Sequence, residues 1–236
     1  MTAPIHQRIT EVRQSGVPCA VASCFKLRHR FGSHCRAHEK TREGTGDPLG
    51  STIRITAVRP WANLARDYIV RNANHDAIGA ALDWTRDLMA SGVAPRGRLP
   101  VCATAPRRLS AWLARIHDAG VEPVDVLALI VGMHLYQLAQ PREFVSDDHF
   151  RHQLANRLIR LAPAPSIQPW SNGKPMRRKY DRVTSSVRAL LADRIIEGLG
   201  SFPLRVALQL ITDTELKPEP ADRDKLATPL PISVGA

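Results

Sequence analysis

Three of the four cysteines lie close together, within residues 19–35, and are interleaved with histidines. Four residues separate Cys19 from Cys24, and ten residues further on two residues separate Cys35 from His38. Thiolate and imidazole are the usual ligands of tetrahedral zinc, and ligand pairs two to four residues apart let one tight turn present both to the ion. The spacing therefore predicts a Zn²⁺ site formed by these four residues. Ordinary buried cysteines beside solvent-facing histidines are the alternative.

The segment that carries these residues, 19–48, has few large apolar side chains. So small and polar a segment buries too little apolar surface to fold alone, and a bound ion would supply the missing free energy. We call this segment the knuckle module. His34, directly before Cys35, is an alternative fourth ligand, although the two-residue spacing favours His38.

The knuckle module resembles a short cysteine/histidine motif of bacteriophage and mobile-element proteins, which is sometimes found beside HNH endonuclease domains. The match consists of C-x4-C, then C-x2-H, then the closing turn Gly46-Asp47-Pro48. The resemblance implies zinc binding by the four predicted ligands and, by association, work on DNA. It covers residues 19–48 only and implies nothing about the rest of the chain.

Basic side chains are concentrated in two parts of a chain whose formal net charge is +11. Residues 1–59 carry ten basic and four acidic side chains, a net charge of +6, and residues 163–188 carry six and one, a net charge of +5. Localised positive charge favours polyanionic partners, nucleic acid above all. We predict a nucleic-acid surface, with DNA as the expected partner, formed by Lys26, Arg28, Arg30, Arg36, Lys40, Arg42, Lys174, Arg177, Arg178 and Lys179.

Each basic cluster also has a second interpretation. The cations of the knuckle module can equally form a solvated face that keeps the module soluble. In the loop 170–179 (WSNGKPMRRK), Trp170 can stack on a base or pack back onto the helices. The sequence leaves both pairs of alternatives open.

Beyond the knuckle module the dominant pattern is helical. From Pro60 onward apolar residues recur at three- and four-residue intervals, as they do on the buried face of a helix. The stretch PVDVLALIVGMHLYQLAQ, which starts at Pro123, is apolar nearly all round and predicts a helix surrounded by others. The sequence thus predicts a mainly α protein, with a bundle-like domain of about six helices preceded by a small zinc-knuckle module.

We expect five parts along the chain: an N-terminal lead-in (1–18), the knuckle module (19–48), a linker (49–59), the helical domain (60–211) and a disordered Pro-rich tail (212–236). Alternating residues over 53–58 (IRITAV) indicate a short strand or an extended connection. Pro60 suits a first helical position, and a short last helix should run from Pro203 through Leu210.

Two polar residues, Asn74 and Ser146, are predicted helix caps. In the helix after Ser146, the predicted buried stripe consists of Phe150, Leu154, Leu158 and Leu161. The residues expected wholly or partly outside that stripe are Gln153, Asn156, Arg157 and Arg160.

No catalytic constellation is evident. Asp148, His149 and Asn156 lack the further histidine that an HNH nuclease needs, and there is no Gly-rich phosphate loop or nucleophile elbow. His134 is predicted to be a hydrogen-bonded core histidine, and Cys102 a small buried residue. We therefore expect a protein without enzymatic activity.

Clustered thiols are typical of metal sites in a reducing compartment. The chain has no apolar run of membrane-spanning length, and its first residues lack the apolar core of a signal peptide, so we expect a cytoplasmic protein without a membrane partner. The favoured hypothesis is a zinc-binding, DNA-binding accessory or regulatory protein of a phage or mobile element. The alternative is a non-catalytic scaffold, with a purely structural zinc site, whose helical domain contacts a protein partner.

Overall fold

The computed structural model describes residues 16–29, 32–95, 99–100, 102–162 and 183–214. Within these residues the chain forms eight α-helices and no strand, which confirms the mainly α class with slightly more helices than expected. The helices are α1 (Arg36–Thr45), α2 (Ile55–Arg71), α3 (Asp76–Ala90), α4 (Ala105–Asp118), α5 (Pro123–Ala139), α6 (Asp147–Ile159), α7 (Ser185–Leu199) and α8 (Phe202–Thr214), with a 3-10 turn at Pro141–Glu143.

Helix α5 is the central element of the helical domain. It packs against α2, α3, α6 and α8, and its side chains from Val126 to Met133 are all buried. A helix with neighbours on several sides needs apolar residues on every face, which its sequence supplies. Gly132 lets α2 approach closely, because a Cβ atom there would lie 2.6 Å from the Cα of Ala62. The predicted core helix is therefore confirmed.

Helix α2 begins earlier than the sequence pattern indicated. Residues from Ile55 onward are helical, so the short strand or extended connection expected over 53–58 is wrong for most of its length. Pro60 lies inside the helix rather than at its first position and removes one backbone hydrogen bond. Complete burial of Val58 and Ala65 offsets this cost, because tertiary packing outweighs local propensity.

Two of the predicted helix ends also differ. His75, not Asn74, precedes α3 as its N-cap, and its Nδ1 accepts a hydrogen bond from the Ala77 amide at 3.2 Å. Helix α8 continues past Leu210 to Thr214, into the first residues of the expected tail. Ser146 caps α6 as predicted, since its side chain accepts from the His149 amide at 3.2 Å.

The polar face predicted for α6 is buried, which corrects the expectation for three of its four residues. Gln153, Asn156 and Arg157 are buried, and only Arg160 is exposed as predicted. The cause is the chain that leaves the knuckle module, residues 45–53, whose backbone bonds to this face. Polar side chains are needed here because buried backbone groups require hydrogen-bond partners.

Among the described residues no single helix is long and apolar enough to cross a membrane. Two pairs of consecutive helices reach that length and composition together, α4 with α5 and α7 with α8, but they bend by 118° and 74°.

Three predicted parts lie largely or wholly outside the described residues. These are the lead-in up to residue 15, the basic loop within 163–182 and the tail from residue 215. The division of the chain into five parts stays a prediction.

Candidate metal centre

A backbone turn positions the first two predicted ligands. The amide of Cys24 donates to the Val21 carbonyl at 2.9 Å, and the amide of Cys19 donates to the Lys26 carbonyl at 2.9 Å. These two bonds fold the chain back on itself. Cys19 and Cys24 are thereby brought to the same side of the turn.

The start of α1 positions the other two ligands. Cys35 is the N-cap of this helix and has an extended backbone, while His38 lies in the first helical turn. Side chains at positions i and i+3 at the start of a helix lie on one face, as Cys35 and His38 do. The two halves of the site are joined because the Cys35 amide donates to Cys19 Sγ at 3.3 Å.

The four ligand atoms lie within 4.8 Å of one another. Three of the six pairwise separations are 3.8 Å for Cys24 Sγ to Cys35 Sγ, 3.6 Å for Cys35 Sγ to His38 Nδ1 and 3.3 Å for Cys19 Sγ to His38 Nδ1. A tetrahedral ion with Zn–S bonds of about 2.3 Å and a Zn–N bond of about 2.0 Å places two sulfurs about 3.8 Å apart, and sulfur and nitrogen about 3.5 Å apart. The donor set and its spacing fit one four-coordinate metal ion.

His34 does not join this group. Its Nδ1 lies 3.1 Å from Ser33 Oγ and 3.6 Å from a carboxylate oxygen of Glu39. Among the described residues the only Cys/His/Asp/Glu group with metal-binding spacing contains His38 instead. Cys102 is exposed rather than buried as predicted, and it lies outside the group.

The thiols of the group differ in acidity. Burial raises the pKa of Cys19, but hydrogen bonds from the backbone of Cys35 and Val21 outweigh it and lower the pKa below its ordinary value. The backbone amide of His38, at the start of α1, lowers the pKa of Cys35. The Lys26 amide lowers the pKa of Cys24, yet burial and the neighbouring thiols leave it raised. Two of the three thiols thus favour the thiolate that a metal needs.

The apolar core of the knuckle module is very small. Its buried apolar cluster consists of Cys19, Val21 and Cys35, with Cys24 packed against them, and it is separate from the main core of the helical domain. Three of the four members of this cluster are therefore candidate ligands themselves. This composition is typical of modules that fold around an ion.

The described cations of the predicted nucleic-acid surface differ in their exposure and in their ion pairs. Lys26, Arg36 and Lys40 are exposed. Arg42 is exposed too but forms an ion pair with Glu39 at 2.7 Å. Arg28 is half-buried, and its Nε has no hydrogen-bond partner. The remaining predicted members lie outside the described residues: Arg30, Lys174, Arg177, Arg178 and Lys179, together with Trp170.

The sequence predictions missed a set of residues that attach the exit of the knuckle module to α6. Gln153 bonds to two backbone groups, since its Nε2 donates to the Thr45 carbonyl and its Oε1 accepts from the Ile53 amide, both at 3.3 Å. Arg157 donates to the Ile53 carbonyl. Several long polar side chains on a helix without matching acidic neighbours are the one sequence signal that could have indicated this attachment.

His149 belongs to the same attachment. Its Nδ1 accepts from the Val145 amide at 3.3 Å, so its Nε2 carries the proton and donates to the Ser51 carbonyl at 2.7 Å. Both ring nitrogens of this fully buried side chain therefore bond to backbone. The arrangement gives His149 a structural role.

His134 differs from its prediction as a hydrogen-bonded residue. Its ring packs against Phe150 with centroids 4.8 Å apart, and its Nδ1 is buried without a hydrogen-bond partner. Burial lowers the pKa of His134 to about 4. The side chain is therefore neutral at pH 7 and acts as a packing residue.

The described residues thus form a helical protein that carries a Cys₃His group with metal-binding spacing on its amino-terminal side. No protein-family model, curated protein or solved structure matches this chain. Its function is therefore inferred from the geometry and charge of the site.

Proposed function

We propose that this chain is a zinc-binding, DNA-binding accessory or regulatory protein. The observation that carries the proposal is the Cys₃His group, whose ligand atoms lie within 4.8 Å of one another. Zinc is the ion of choice because three thiolates and one imidazole in a tetrahedral arrangement are typical of structural zinc sites. A filled structural site of this kind holds the module together and carries out no reaction.

The charges around the site support nucleic acid as the partner. Lys26, Arg36 and Lys40 are exposed on the knuckle module, and the sequence contains no acidic residue from position 16 to position 38. A bound ion makes the scaffold of these cations rigid. The cations can then bind successive phosphates at little entropic cost. An origin in a phage or mobile element rests on the resemblance of residues 19–48 alone.

Nucleic-acid titrations at two salt concentrations test this proposal. Each phosphate contact should steepen the fall of log K with log salt by roughly 0.9 for duplex DNA. Arg36→Ala and Lys40→Ala should each weaken binding and reduce that slope. Arg205→Ala, which removes an exposed cation from α8, is the matched control and should change neither. Absence of binding at low salt would show the proposal to be wrong.

A specific observation also favours the scaffold alternative. Leu204 and Leu208 lie one turn apart on α8 and are 39% and 48% exposed, so they form an apolar stripe that a protein partner could cover. In that case the metal ion would only stabilise the fold of the knuckle module. A partner that co-purifies with the wild type and is lost in Leu208→Asp, with no nucleic acid retained, would favour the scaffold.

A further inference from the structure

The ring of Phe25 projects from the knuckle module with almost no contact to the rest of the protein. Its side chain is 99% exposed, the highest value among the large hydrophobic residues described, and Leu27 two residues later is 58% exposed. Phe25 directly follows Cys24, a candidate ligand, and Leu27 is three positions after that cysteine. An aromatic ring is thus presented to solvent next to the candidate site.

The backbone beneath this ring is held on both sides. Cys24, immediately before Phe25, supplies one of the candidate ligands, and the Lys26 carbonyl immediately after it accepts from the Cys19 amide at 2.9 Å. Further along, Leu27 forms an antiparallel bridge with Pro18. Because this backbone is already constrained, it loses little conformational freedom when a partner covers the ring. The entropic cost of binding is therefore lower than for a ring on a flexible loop.

The charges near the ring favour one kind of partner. Lys26 is exposed beside Phe25, and the half-buried Arg28 lies three positions after it. No acidic side chain occurs in the sequence between residues 16 and 38. A protein partner would need both an apolar groove for the ring and acidic side chains for the cations. A nucleic acid offers the flat face of a base to the ring and phosphates to the cations.

We propose that Phe25 stacks on an unpaired base, and that the knuckle module accordingly prefers single-stranded nucleic acid to duplex. This inference rests on the nucleic-acid binding proposed above and specifies its substrate. In a duplex both faces of each base are already stacked on neighbouring bases, so a ring can enter only by unstacking a step. An unpaired base has a free face in DNA and RNA alike, and stacking on it is tolerant of sequence.

The test uses the whole 236-residue chain in its zinc-loaded form. Fluorescence anisotropy would measure its affinity for a single-stranded DNA of about 15 nucleotides, the RNA of the same sequence and the corresponding DNA duplex, all at one salt concentration. We expect tighter binding of at least one single strand than of the duplex. Phe25→Ala should weaken single-strand binding roughly tenfold and leave duplex binding nearly unchanged.

Two further variants separate stacking from a general loss of structure. Phe25→Trp keeps a large aromatic face and should retain single-strand affinity. Val93→Ala shortens another apolar side chain, 70% exposed in the segment after α3, and should have no effect. All three variants should keep their zinc content, because none of them removes a candidate ligand.

The outcomes distinguish this inference from the proposed function. If all three nucleic acids bind and Phe25→Ala changes none of the affinities, the stacking proposal is wrong while nucleic-acid binding stands. The same holds if Phe25→Ala leaves these affinities intact but releases a co-purifying protein. If no nucleic acid binds even at low salt, both proposals fail. A preference for a single strand over the duplex that is lost in Phe25→Ala supports stacking, whether that strand is DNA or RNA.

Discussion

Ser146 Oγ donates a hydrogen bond to Asp47 Oδ2 at 2.7 Å and so joins the last turn of the knuckle module to the cap of α6. The same Oγ accepts from the His149 amide at 3.2 Å, and the other carboxylate oxygen of Asp47 accepts from the Leu49 amide at 2.8 Å. One carboxylate therefore orders both the turn after α1 and the first turn of a distant helix.

Ser146→Ala should lower the free energy of unfolding by about 1–2 kcal/mol, because it removes both the cap of α6 and the link to Asp47. Urea denaturation of the zinc-loaded protein would measure the loss. Asp47→Asn keeps an acceptor for the Leu49 amide and should cost less. In a double-mutant cycle Asp47→Asn should have a smaller effect once Ser146 is gone. Additive effects would show that the two side chains do not cooperate.

Zinc content should depend on the four candidate ligands and on no other cysteine. Cys19→Ser, Cys24→Ser, Cys35→Ser and His38→Ala should each lose stoichiometric zinc, because a structural site needs all four positions. Cys102→Ser and His34→Ala are the matched controls and should retain it. Elemental analysis of the purified variants would measure this. Full zinc in Cys19→Ser, or its loss in His34→Ala, would contradict the assignment of the site.

Gly132→Ala should destabilise the helical domain. The added Cβ would lie 2.6 Å from the Cα and 2.7 Å from the N of Ala62, both backbone atoms of α2, so the two helices would have to move apart. Overpacking of this kind costs roughly 1–3 kcal/mol. Gly79→Ala is the matched control, because nothing lies within 4 Å of the Cβ it adds to α3. The control should stabilise by up to about 1 kcal/mol, and thermal unfolding of both variants would compare them.

Stability should fall as the pH is lowered from 6.5 towards 4. Burial lowers the pKa of His134 to about 4, and burial followed by the nearby Arg188 charge lowers that of His152 to about 4, from an ordinary value of 6.5. The unfolded chain therefore binds more protons in this window, and the free energy of unfolding decreases as the pH falls through it. At pH 5 each histidine can lower the free energy of unfolding by up to about 2 kcal/mol.

A variant separates this effect from acid release of the metal ion. Urea denaturation at pH 7 and pH 5 should show a smaller difference for His134→Leu than for the wild type, since the variant has lost one of the two groups. Metal release affects both proteins alike and cancels in the comparison. Equal pH differences in the two proteins would contradict the assignment to His134.

The candidate site could be predicted from the sequence because its ligands are local. Cys19 and His38 lie only 19 positions apart, and paired spacing within a tight turn nearly determines their geometry. The choice of His38 over His34 follows the same spacing, and the structure places His38 Nδ1 in the group. Helix α5 was also predictable, because its apolar residues cover nearly every face.

The attachment between the knuckle module and α6 could not be predicted from periodicity. Gln153 and Arg157 are polar, and a pattern based on hydrophobicity assigns such residues to solvent. They are buried because backbone groups of Thr45 and Ile53, about a hundred positions away in the chain, need their hydrogen bonds. The early start of α2 has a similar cause, since Val58 is buried by tertiary contacts that local alternation does not reveal.

The separation in sequence between contacting residues sets an order for folding. Contacts within the candidate site span 3 to 19 residues, whereas the hydrogen bonds that attach residues 45–53 to α6 span 98 to 108. Short loops close faster and at lower entropic cost than long ones. In refolding experiments zinc uptake should therefore precede the final change in tryptophan fluorescence of the helical domain. On the ribosome the knuckle module can bind a metal ion as soon as it emerges. Its attachment to α6 can form only later, after α6 has been synthesised.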